Sequence, residues 1–370
     1  MKKKMLSMVL ALAMAAGLTA CGSSSSSSTT TTAAATEAAT EAAAEAAAET
    51  VAEGAETETA DLPDASGDPK VMMDLATAYA ADAPAGKALQ KFVDDVAEKS
   101  GGSIEISLFT DGTLGNASDN YASVANGDLD MTMTGLEGLD LYAPEYTFLD
   151  APFLIKSWDH LNALLNGGIG DKLKERYEEN GFVTLGFHAR DVRELASNTE
   201  VTSPDQVKGL KLRLPGMTVY VDTWSALGAS PTQVAMSELY TALQTKVADA
   251  CEGGYEQMTT LKLYEVQKYI AETDHVYEFV GLYINKDKLA SLTEAQQTII
   301  KACATECLAY ADELSESSRA EYKQTCIDGG MTFVEIDRDT FHEALKDYYN
   351  KQFEEKWTVS SYDEVMSYAQ

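Results

Sequence analysis

The sequence predicts an α/β fold, because strand-like and helix-like patterns alternate along the chain. Residues 71–76 form an apolar strand pattern, residues 87–99 form an amphipathic helix pattern, and residues 104–108 alternate apolar and polar side chains as a strand does. The chain then repeats this scheme with a helix over residues 117–125 and a strand over residues 129–133. Alternation of this kind favours a mainly parallel sheet covered by helices.

The length of 370 residues allows one large core or two, since domains usually contain roughly 100 to 200 residues. Later patterns continue the α/β scheme. They are two helices within 158–180 separated by Gly167 and Gly168, a strand over 182–187, a helix over 261–270, a strand over 277–284, a long helix over 293–323 and an amphipathic helix over 341–357.

The segment 203–254 carries the most informative pattern. Ser203-Pro204-Asp205 indicates a helix start, and Gly209 closes the turn before an apolar alternation over residues 210–214. A helix over 216–227, a second helix starting at Ser237 and a short apolar strand over 247–251 follow. In the strand over 210–214 the leucines pack on one face, so Arg213 points to the other, either to solvent or into a cleft.

Three motifs in this segment resemble a known family. The succession GLKLRLP, then LGASP, then SELYTALQTKVADACEGG is similar to the signature block of the solute-binding proteins of TRAP transporters, the DctP-like family. GTLG followed by VANGDLDM, and the later YAPEYTFLDAPFLI, resemble the same family. The resemblance extends from about residue 69 to residue 357.

The resemblance implies an α/β, two-domain, periplasmic-binding-protein-like fold with a cleft, mixed sheets flanked by helices, and a long helix that spans both domains. Domain I would contain residues 70–190 and 278–310, and domain II would contain residues 191–277 and 311–370. In the family, the arginine of the G-x-K-x-R-x-P segment forms a two-pronged salt bridge with the solute carboxylate, which assigns that role to Arg213. A guanidinium suits it, because its donors form a rigid fork that matches a carboxylate.

The resemblance also implies further ligand-binding residues. Gly186 through Arg193 to Ser197-Asn198 is similar to the family's crossover strand, where a second carboxylate-facing arginine is found. Arg193 is the candidate and Arg190 the competing one, and either could instead form a salt bridge at the hinge.

The end of the signature block departs from the family pattern. The family's D-G-Q-E-N becomes Asp-Ala-Cys-Glu-Gly over 249–253, which places Glu252 and Gly253 at the site with glycine where an asparagine would touch the solute. Met236 stands where some relatives stack an aromatic ring. Both departures leave the particular solute open.

Two loops complete the predicted cleft. In open α/β sheets, ligands bind beyond the carboxyl ends of the strands, which selects the loops over residues 77–80 and 134–139. Tyr79 and Glu137 are the candidate ligand-binding residues there, although each could equally be an exposed loop side chain.

The N-terminal residues predict export and anchoring. Residues 1–20 combine three lysines with a short apolar stretch, as a secretory signal does. Leu18-Thr19-Ala20-Cys21 resembles a bacterial lipobox, so Cys21 is expected to carry lipid, with ordinary signal cleavage as the alternative. Residues 21–69 are rich in Ser, Thr, Ala and Glu, and we expect a disordered tether that holds the folded body away from the membrane. The predicted location is the extracytoplasmic face of the cell membrane.

The charge excludes some partners. The formal net charge is −31, and removal of a leader with three lysines and no acid gives −34. The tether holds ten acids and no bases, which leaves about −24 on the body. Such a surface argues against nucleic acid as a partner. Binding of an anion then requires a locally positive cleft.

Cysteines and histidines give no sign of a cofactor, a metal site or catalysis. Beyond Cys21, the chain has Cys251, Cys303, Cys307 and Cys326, which we expect to be buried free thiols, although a bridge to Cys326 stays possible. The four histidines form no metal-ligand pair, and no G-x-S-x-G motif is present.

The predicted function is therefore that of a receptor, not an enzyme. The receptor would close two domains around a small organic acid and deliver it to the small and large TRAP membrane subunits. A substrate-binding lipoprotein of an ATP-driven importer is the alternative, and a secreted enzyme is a weaker one.

Overall fold

A nine-stranded mixed sheet forms the centre of the protein in the computed structural model, which describes residues 62–135 and 137–369. The leader, Cys21 and nearly all of the tether lie outside these residues. The strands are β1 Val71–Ala76, β2 Ile104–Phe109, β3 Met131–Thr134, β4 Phe182–Ser197, β5 Lys211–Leu214, β6 Ser230–Gln233, β7 Ala250–Gly253, β8 Tyr269–Asn285 and β9 Thr332–Glu335.

Two parallel groups of strands make up the outer parts of the sheet. Their order is β2-β1-β3 on one side and β7-β5-β6 on the other, with β1 parallel to β2 and β3, and β5 parallel to β6 and β7. The expected mainly parallel pairing therefore holds within each group. The groups are joined by antiparallel pairing through β8 and β4, which the strand patterns alone did not predict.

The two long strands β4 and β8 run side by side from Phe182 opposite Asn285 to Ser197 opposite Tyr269. Their pairing is interrupted three times, between Thr184 and Gly186, between Ala189 and Asp191, and between Arg193 and Leu195. A bulge bends a strand and re-aims its side chains. The last two irregularities flank the arginines of β4 and so influence where those side chains point.

Helices cover both faces of this sheet. They are α1 Pro84–Lys99, α2 Ala117–Asn126, α3 Glu137–Tyr142, α4 Trp158–Leu165, α5 Gly168–Glu179, α6 Thr218–Ala226, α7 Leu239–Gln244, α8 Tyr255–Thr260, α9 Lys286–Ser291, α10 Glu294–Asp328, α11 Arg338–Glu355 and α12 Tyr362–Ser367. Short 3-10 helices span Pro144–Asp150, Pro204–Val207, Met236–Glu238 and Leu263–Glu265.

The long helix α10 confirms the predicted helix over 293–323 and extends it. A capping box at its start, in which Thr293 and Gln296 bond each other's backbone N–H, fixes the first turn. The helix packs on α1, β4 and α8. One apolar side, including Ile299, Cys303 and Leu308, is buried in the core formed with β1, β3 and α1.

A larger apolar core lies around α6, α11 and the segment before α4. Trp224 and Trp357 are buried there, and the rings of Phe153 and Phe341 stack with centroids 4.8 Å apart. A smaller core under α7 and α8 contains Cys251 and Cys326.

The structure differs from the predicted helix over residues 261–270. A 3-10 turn covers Leu263–Glu265, and β8 already begins at Tyr269. The reason is tertiary, because Tyr269 pairs with Ser197 on β4 and with Thr332 on β9. Sheet pairing on both sides overrides the local preference for helix.

All four cysteines of the described residues are buried free thiols, as expected. Within those residues, no group of histidine, cysteine or acidic side chains could hold a metal ion. Nor do they include a helix with the length and hydropathy needed to cross a membrane.

Candidate functional site

A cleft of about 480 Å³ opens beyond the ends of β1, β3 and β5. Its wall includes five residues singled out from the sequence: Tyr79, Glu137, Arg193, Arg213 and Met236. The carboxyl ends of strands therefore meet at a concave site, as expected for an open α/β sheet. Glu252 and Gly253, the other two predicted residues, lie behind the wall.

Arg213 points into this cleft and not to bulk solvent. Leu212 and Leu214 are fully buried on the opposite face of β5, and Arg213 is itself only 2% exposed. Its Nε donates to the main-chain oxygen of Val234 at 2.9 Å, while Nη1 is buried and bonds nothing among the described residues. Burial lowers the pKa of Arg213, although a guanidinium stays charged at any ordinary pH.

Arg193, by contrast, is fully engaged by acids of the protein. Its Nε and Nη2 donate to the carboxylate of Glu252 at 2.6 and 2.9 Å, and its Nη1 donates to Glu278 at 3.1 Å. Burial alone would lower the pKa of Arg193, but the two carboxylates outweigh burial and raise it well above its ordinary value.

Arg190 is engaged in the same way at the cleft wall. It donates to Glu278 at 2.7 Å and to Glu256 on α8 at 3.0 Å. The aromatic ring of Tyr79 packs against its guanidinium, 4.8 Å from centroid to carbon. Cation–π contact of this kind fixes the ring in place. The sequence left Arg193 and Arg190 as competitors, and both lie at the cleft with acids as partners.

Glu252 is fully buried and anchors this charged network. Burial would raise its pKa, yet the charge of Arg193 and a hydrogen bond from His275 lower it to about 2. His275 Nε2 lies 3.1 Å from Glu252, and its Nδ1 lies 2.7 Å from the hydroxyl of Thr273. Since burial lowers the pKa of His275, the ring is neutral, with Nε2 donating to Glu252 and Nδ1 accepting from Thr273.

Glu137 is an acid of the cleft that no arginine or lysine of the described residues pairs with. Burial raises its pKa. A Cβ placed on Gly135 would lie 3.1 Å from the hydroxyl of Tyr79 and 3.4 Å from the carboxylate of Glu137, so Gly135 leaves room for both groups. Neither Tyr79 nor Glu137 is simply an exposed loop side chain.

Gly253 leaves space that a neighbour fills. A Cβ at this position would lie 2.6 Å from the side-chain amide of Gln257, whose Nε2 donates to the main-chain oxygen of Glu252 at 3.3 Å. Gln257 lines the cleft and is 9% exposed. The side-chain amide of Gln257, on α8, therefore lies at the cleft directly beside Gly253.

Several of these residues escaped prediction. Glu278, Glu256 and Gln257 were not singled out, although all three line the cleft. Glu278 stands opposite Asp191 in the β4–β8 pairing, 85 residues from Arg193 in sequence. A signal for Gln257 did exist in the sequence. Gln257 lies four positions after Gly253, where this chain has glycine in place of the asparagine of the family motif.

Two other features offer no comparable site. A cavity of about 280 Å³ near α6 and α11 contains Lys356, but this lysine is already paired with Asp222 at 2.8 Å. A histidine–aspartate contact, His188 with Asp312 at 2.6 Å, lies 3.4 Å from Ser315. The void at Ser315 holds about 10 Å³, roughly one water molecule. This contact ties α10 to β4 and has no room for a substrate.

A cleft at the strand ends of an α/β fold, with an arginine that no carboxylate of the described residues pairs with, is typical of a protein that binds solutes. The profile of the bacterial extracellular solute-binding protein family 7, DctP, matches residues 75–356, and the chain belongs to this family of TRAP transporter solute-binding proteins. Its members are transport proteins, not enzymes.

Individual relatives agree with this assignment. A solute-binding protein of Roseobacter denitrificans is 36% identical over 258 residues, 70% of this chain and 79% of the relative. The 2,3-diketo-L-gulonate-binding periplasmic protein YiaO of Escherichia coli is 32% identical over 272 residues, 72% and 82% of the two chains. The crystal structure of the R. denitrificans TRAP periplasmic solute-binding protein with bound L-galactonate superposes with a TM-score of 0.71 at 32% identity, covering 82% of this chain and 99% of that one.

Proposed function

We propose that this protein is the receptor of a TRAP transporter for a small organic acid, and that Arg213 binds the carboxylate of the solute. The observation that carries the proposal is the state of its guanidinium. Arg213 is buried at the cleft wall, its Nη1 has no acceptor among the described residues, and no carboxylate pairs with it. A buried donor without a partner costs free energy that a bound carboxylate would recover.

The named ligands of relatives support this chemistry. L-galactonate, bound to the R. denitrificans protein, and 2,3-diketo-L-gulonate, named for YiaO, are both acids with several hydroxyl groups. A cleft of about 480 Å³ suits a solute of this size. Arg193, Glu252 and Gly253 serve the site indirectly, because they hold the wall against which the solute rests.

Closure of two lobes would accompany binding. The proposed lobes are residues 70–190 with 278–310, and residues 191–277 with 311–370. Two ion pairs join them at the cleft: Arg190 with Glu256 at 3.0 Å and Arg193 with Glu278 at 3.1 Å. The backbone N–H of Thr218 also donates to Asp140 across the lobes at 3.2 Å. A solute that touches both lobes favours the closed state only through its greater affinity for that state.

The proposed cellular setting follows from the leader and the family. Lipid on Cys21 would anchor the protein on the extracytoplasmic face, with residues 21–69 as a tether. The solute would pass from the cleft to the two membrane subunits of the transporter. Palmitate labelling that depends on Cys21, lost in Cys21→Ser, tests the anchor separately from the binding site.

The binding test compares two arginines of the same chain. L-galactonate, 2,3-diketo-L-gulonate and succinate are screened with the purified protein by thermal shift, since a ligand of the folded form raises its apparent stability. Calorimetry on the best acid is then repeated with Arg213→Lys and with Arg176→Lys, whose arginine lies outside the cleft. We expect Arg213→Lys to lose at least about tenfold in affinity, because lysine keeps the charge but cannot make the two-pronged contact of a guanidinium with a carboxylate. Equal affinity in Arg213→Lys and Arg176→Lys contradicts the role of Arg213.

A further inference from the structure

The arginines that line the cleft differ in whether a carboxylate of the protein pairs with them. Three carboxylates, those of Glu252, Glu256 and Glu278, contact only two arginines, Arg190 and Arg193. The charges of these two guanidinium groups are therefore already balanced by carboxylates of the protein. Of the cations that line the cleft, Arg213 alone has no carboxylate partner among the described residues.

Glu137 lies apart from Arg213 within the same cleft. Glu137 follows β3 and lies beside Tyr79 at Gly135, whereas Arg213 lies on β5. In the sheet, β8, β4 and β7 stand between β3 and β5. Because three strands separate β3 from β5, Glu137 and Arg213 line different parts of the same cleft. The cleft has a cationic end at Arg213 and an acidic end at Glu137.

We infer that the solute carries a single acid group, and that Glu137 is the specificity-determining residue that rejects a second one at the far end. This inference rests on the proposed function of Arg213. A second carboxylate at the Glu137 end would meet an acid and two arginines already neutralised by the protein. A hydroxyl group there has suitable partners, because the Glu137 carboxyl and the Tyr79 hydroxyl both accept and the phenol also donates.

The chemistry at the Glu137 end supports a hydroxyl group over a cation as well. Tyr79 stays a neutral phenol, because burial raises its pKa, and its ring already covers Arg190. Gln257 adds an uncharged amide to the lining of the cleft. The phenol, the amide and the carboxyl group can all form hydrogen bonds with hydroxyl groups of a solute. A second carboxylate of the solute would be left without a partner, and an unpaired charge of this kind is a common source of specificity.

Three six-carbon compounds test the inference because they share the hydroxyl pattern of carbons 2 to 5. L-galactonate has one acid group, galactarate has two and galactitol has none. Succinate and 4-hydroxybutanoate form a second pair that differs in the same way. Calorimetry with the purified protein at pH 7.5 should show the diacid of each pair binding at least about a hundredfold more weakly than the monoacid.

Two variants distinguish the effect of Glu137 on the preference for monoacids from the effect of removing any one negative charge from the protein. Glu137→Gln keeps the shape of the side chain, and we expect it to reduce the preference for monoacid over diacid by at least about tenfold while monoacid affinity changes by less than about threefold. Glu335→Gln, which removes an exposed acid of β9 outside the cleft, should leave the preference unchanged.

The outcomes distinguish the two proposals. A diacid that binds as tightly as its monoacid, or a preference that is the same in Glu137→Gln and the parent protein, overturns the inference about Glu137. Galactitol binding as tightly as galactonate instead overturns the proposed role of Arg213, whatever happens with galactarate.

Discussion

Gln257 occupies the space that a side chain on Gly253 would need. A Cβ on Gly253 would lie 2.6 Å from the Cδ, Oε1 and Nε2 atoms of Gln257, which places the glycine directly against the amide. Gln257 in turn lines the cleft and donates to the main-chain oxygen of Glu252. The glycine at position 253 on β7 is therefore what allows the amide of Gln257 on α8 to lie where it does.

This relationship predicts that Gly253 and Gln257 are coupled in solute binding. We expect Gln257→Ala to weaken binding of the best acid about tenfold, because it removes one hydrogen-bond partner of the solute. Gly253→Ala should weaken it similarly, because the new methyl group displaces the amide.

A double-mutant cycle measured by calorimetry checks this coupling. The variant with both substitutions should bind no more than about threefold more weakly than either single variant, since one interaction is lost in all three. Gln90→Ala, at an exposed position on α1, is the control. Additive losses in the double variant would show that the two residues act independently.

The buried Glu252 predicts a specific dependence of stability on pH. Its pKa is about 2 in the folded protein against an ordinary value of 4.5. A lowered pKa means that the stabilisation is fully present above pH 4.5 and is lost as the pH falls from 4.5 towards 2. Over that interval the loss amounts to about 3 kcal/mol, at about 1.4 kcal/mol for each pH unit.

Urea unfolding of the parent protein and of Glu252→Gln at pH 7 and pH 3 measures this effect. Glu252→Gln should be the less stable at pH 7, because Arg193 loses its closest carboxylate. The difference in free energy of unfolding should shrink by about 2 kcal/mol at pH 3, since other acids titrate equally in both proteins. A difference that does not change between the two pH values would mean that Glu252 does not titrate as described.

The four free thiols predict slow modification of the native protein. Cys251, Cys303, Cys307 and Cys326 are buried, and burial raises the pKa of Cys251 and Cys307 to about 12 and that of Cys303 to about 11. Reaction with a disulfide reagent requires an accessible thiolate. At pH 8 we expect no measurable labelling of these four in minutes, and complete labelling after addition of guanidinium chloride.

Mass spectrometry of the labelled peptides identifies which thiols react. Labelling of a Cys303 or Cys307 peptide in the native protein at the unfolded rate would contradict the packing of α10 against α1. The Sγ of Cys307 donates to the main-chain oxygen of Ala88 at 3.3 Å, so this thiol is the most sensitive probe of that contact.

Local patterns were sufficient for most of the fold. The strand over Val71–Ala76 and the helix that begins after Thr293 follow from apolar periodicity and capping residues, which act within a few positions of the chain. The pairing of β4 with β8 brings together residues 72 to 103 positions apart, and no local pattern records it. The short strand predicted over 247–251 begins instead at Ala250, where the backbone pairs with Leu212 and Ser197.

The candidate site also has one part that local sequence predicted and one part that depends on the pairing of distant strands. The sequence was sufficient to single out Arg213 as a candidate ligand-binding residue, because the residues on either side of it carry both the motif and the alternation that predicts β5. Whether its guanidinium lacks a carboxylate partner depends on Glu252 and Glu278, which lie on β7 and β8 and contact Arg193 instead. The distribution of carboxylates among three arginines is a property of the assembled sheet and could not be predicted from spacing.

Arg319 connects the long helix to the central strand, and this connection predicts a structural role separate from binding. Its guanidinium donates to Asp191 and Glu194 on β4 at 2.5 and 2.8 Å, and to the main-chain oxygen of Val192 at 3.0 Å. Glu194 is fully buried and Asp191 is 8% exposed. Removal of the cation leaves two acids of the interior without their partner, which is strongly unfavourable.

Arg319→Met keeps a long apolar side chain and removes the guanidinium, whose carbon lies 4.3 Å from the centroid of the Tyr255 ring. We expect a loss of about 2 to 3 kcal/mol in the free energy of unfolding in urea, less than for a fully buried pair because Arg319 is partly exposed. Arg176→Met, at an ion pair of the surface, should lose less than about 1 kcal/mol. Equal losses of unfolding free energy in the two variants would show that Arg319 is an ordinary surface residue. A larger loss for Arg319→Met is expected only if its guanidinium holds the buried acids of β4.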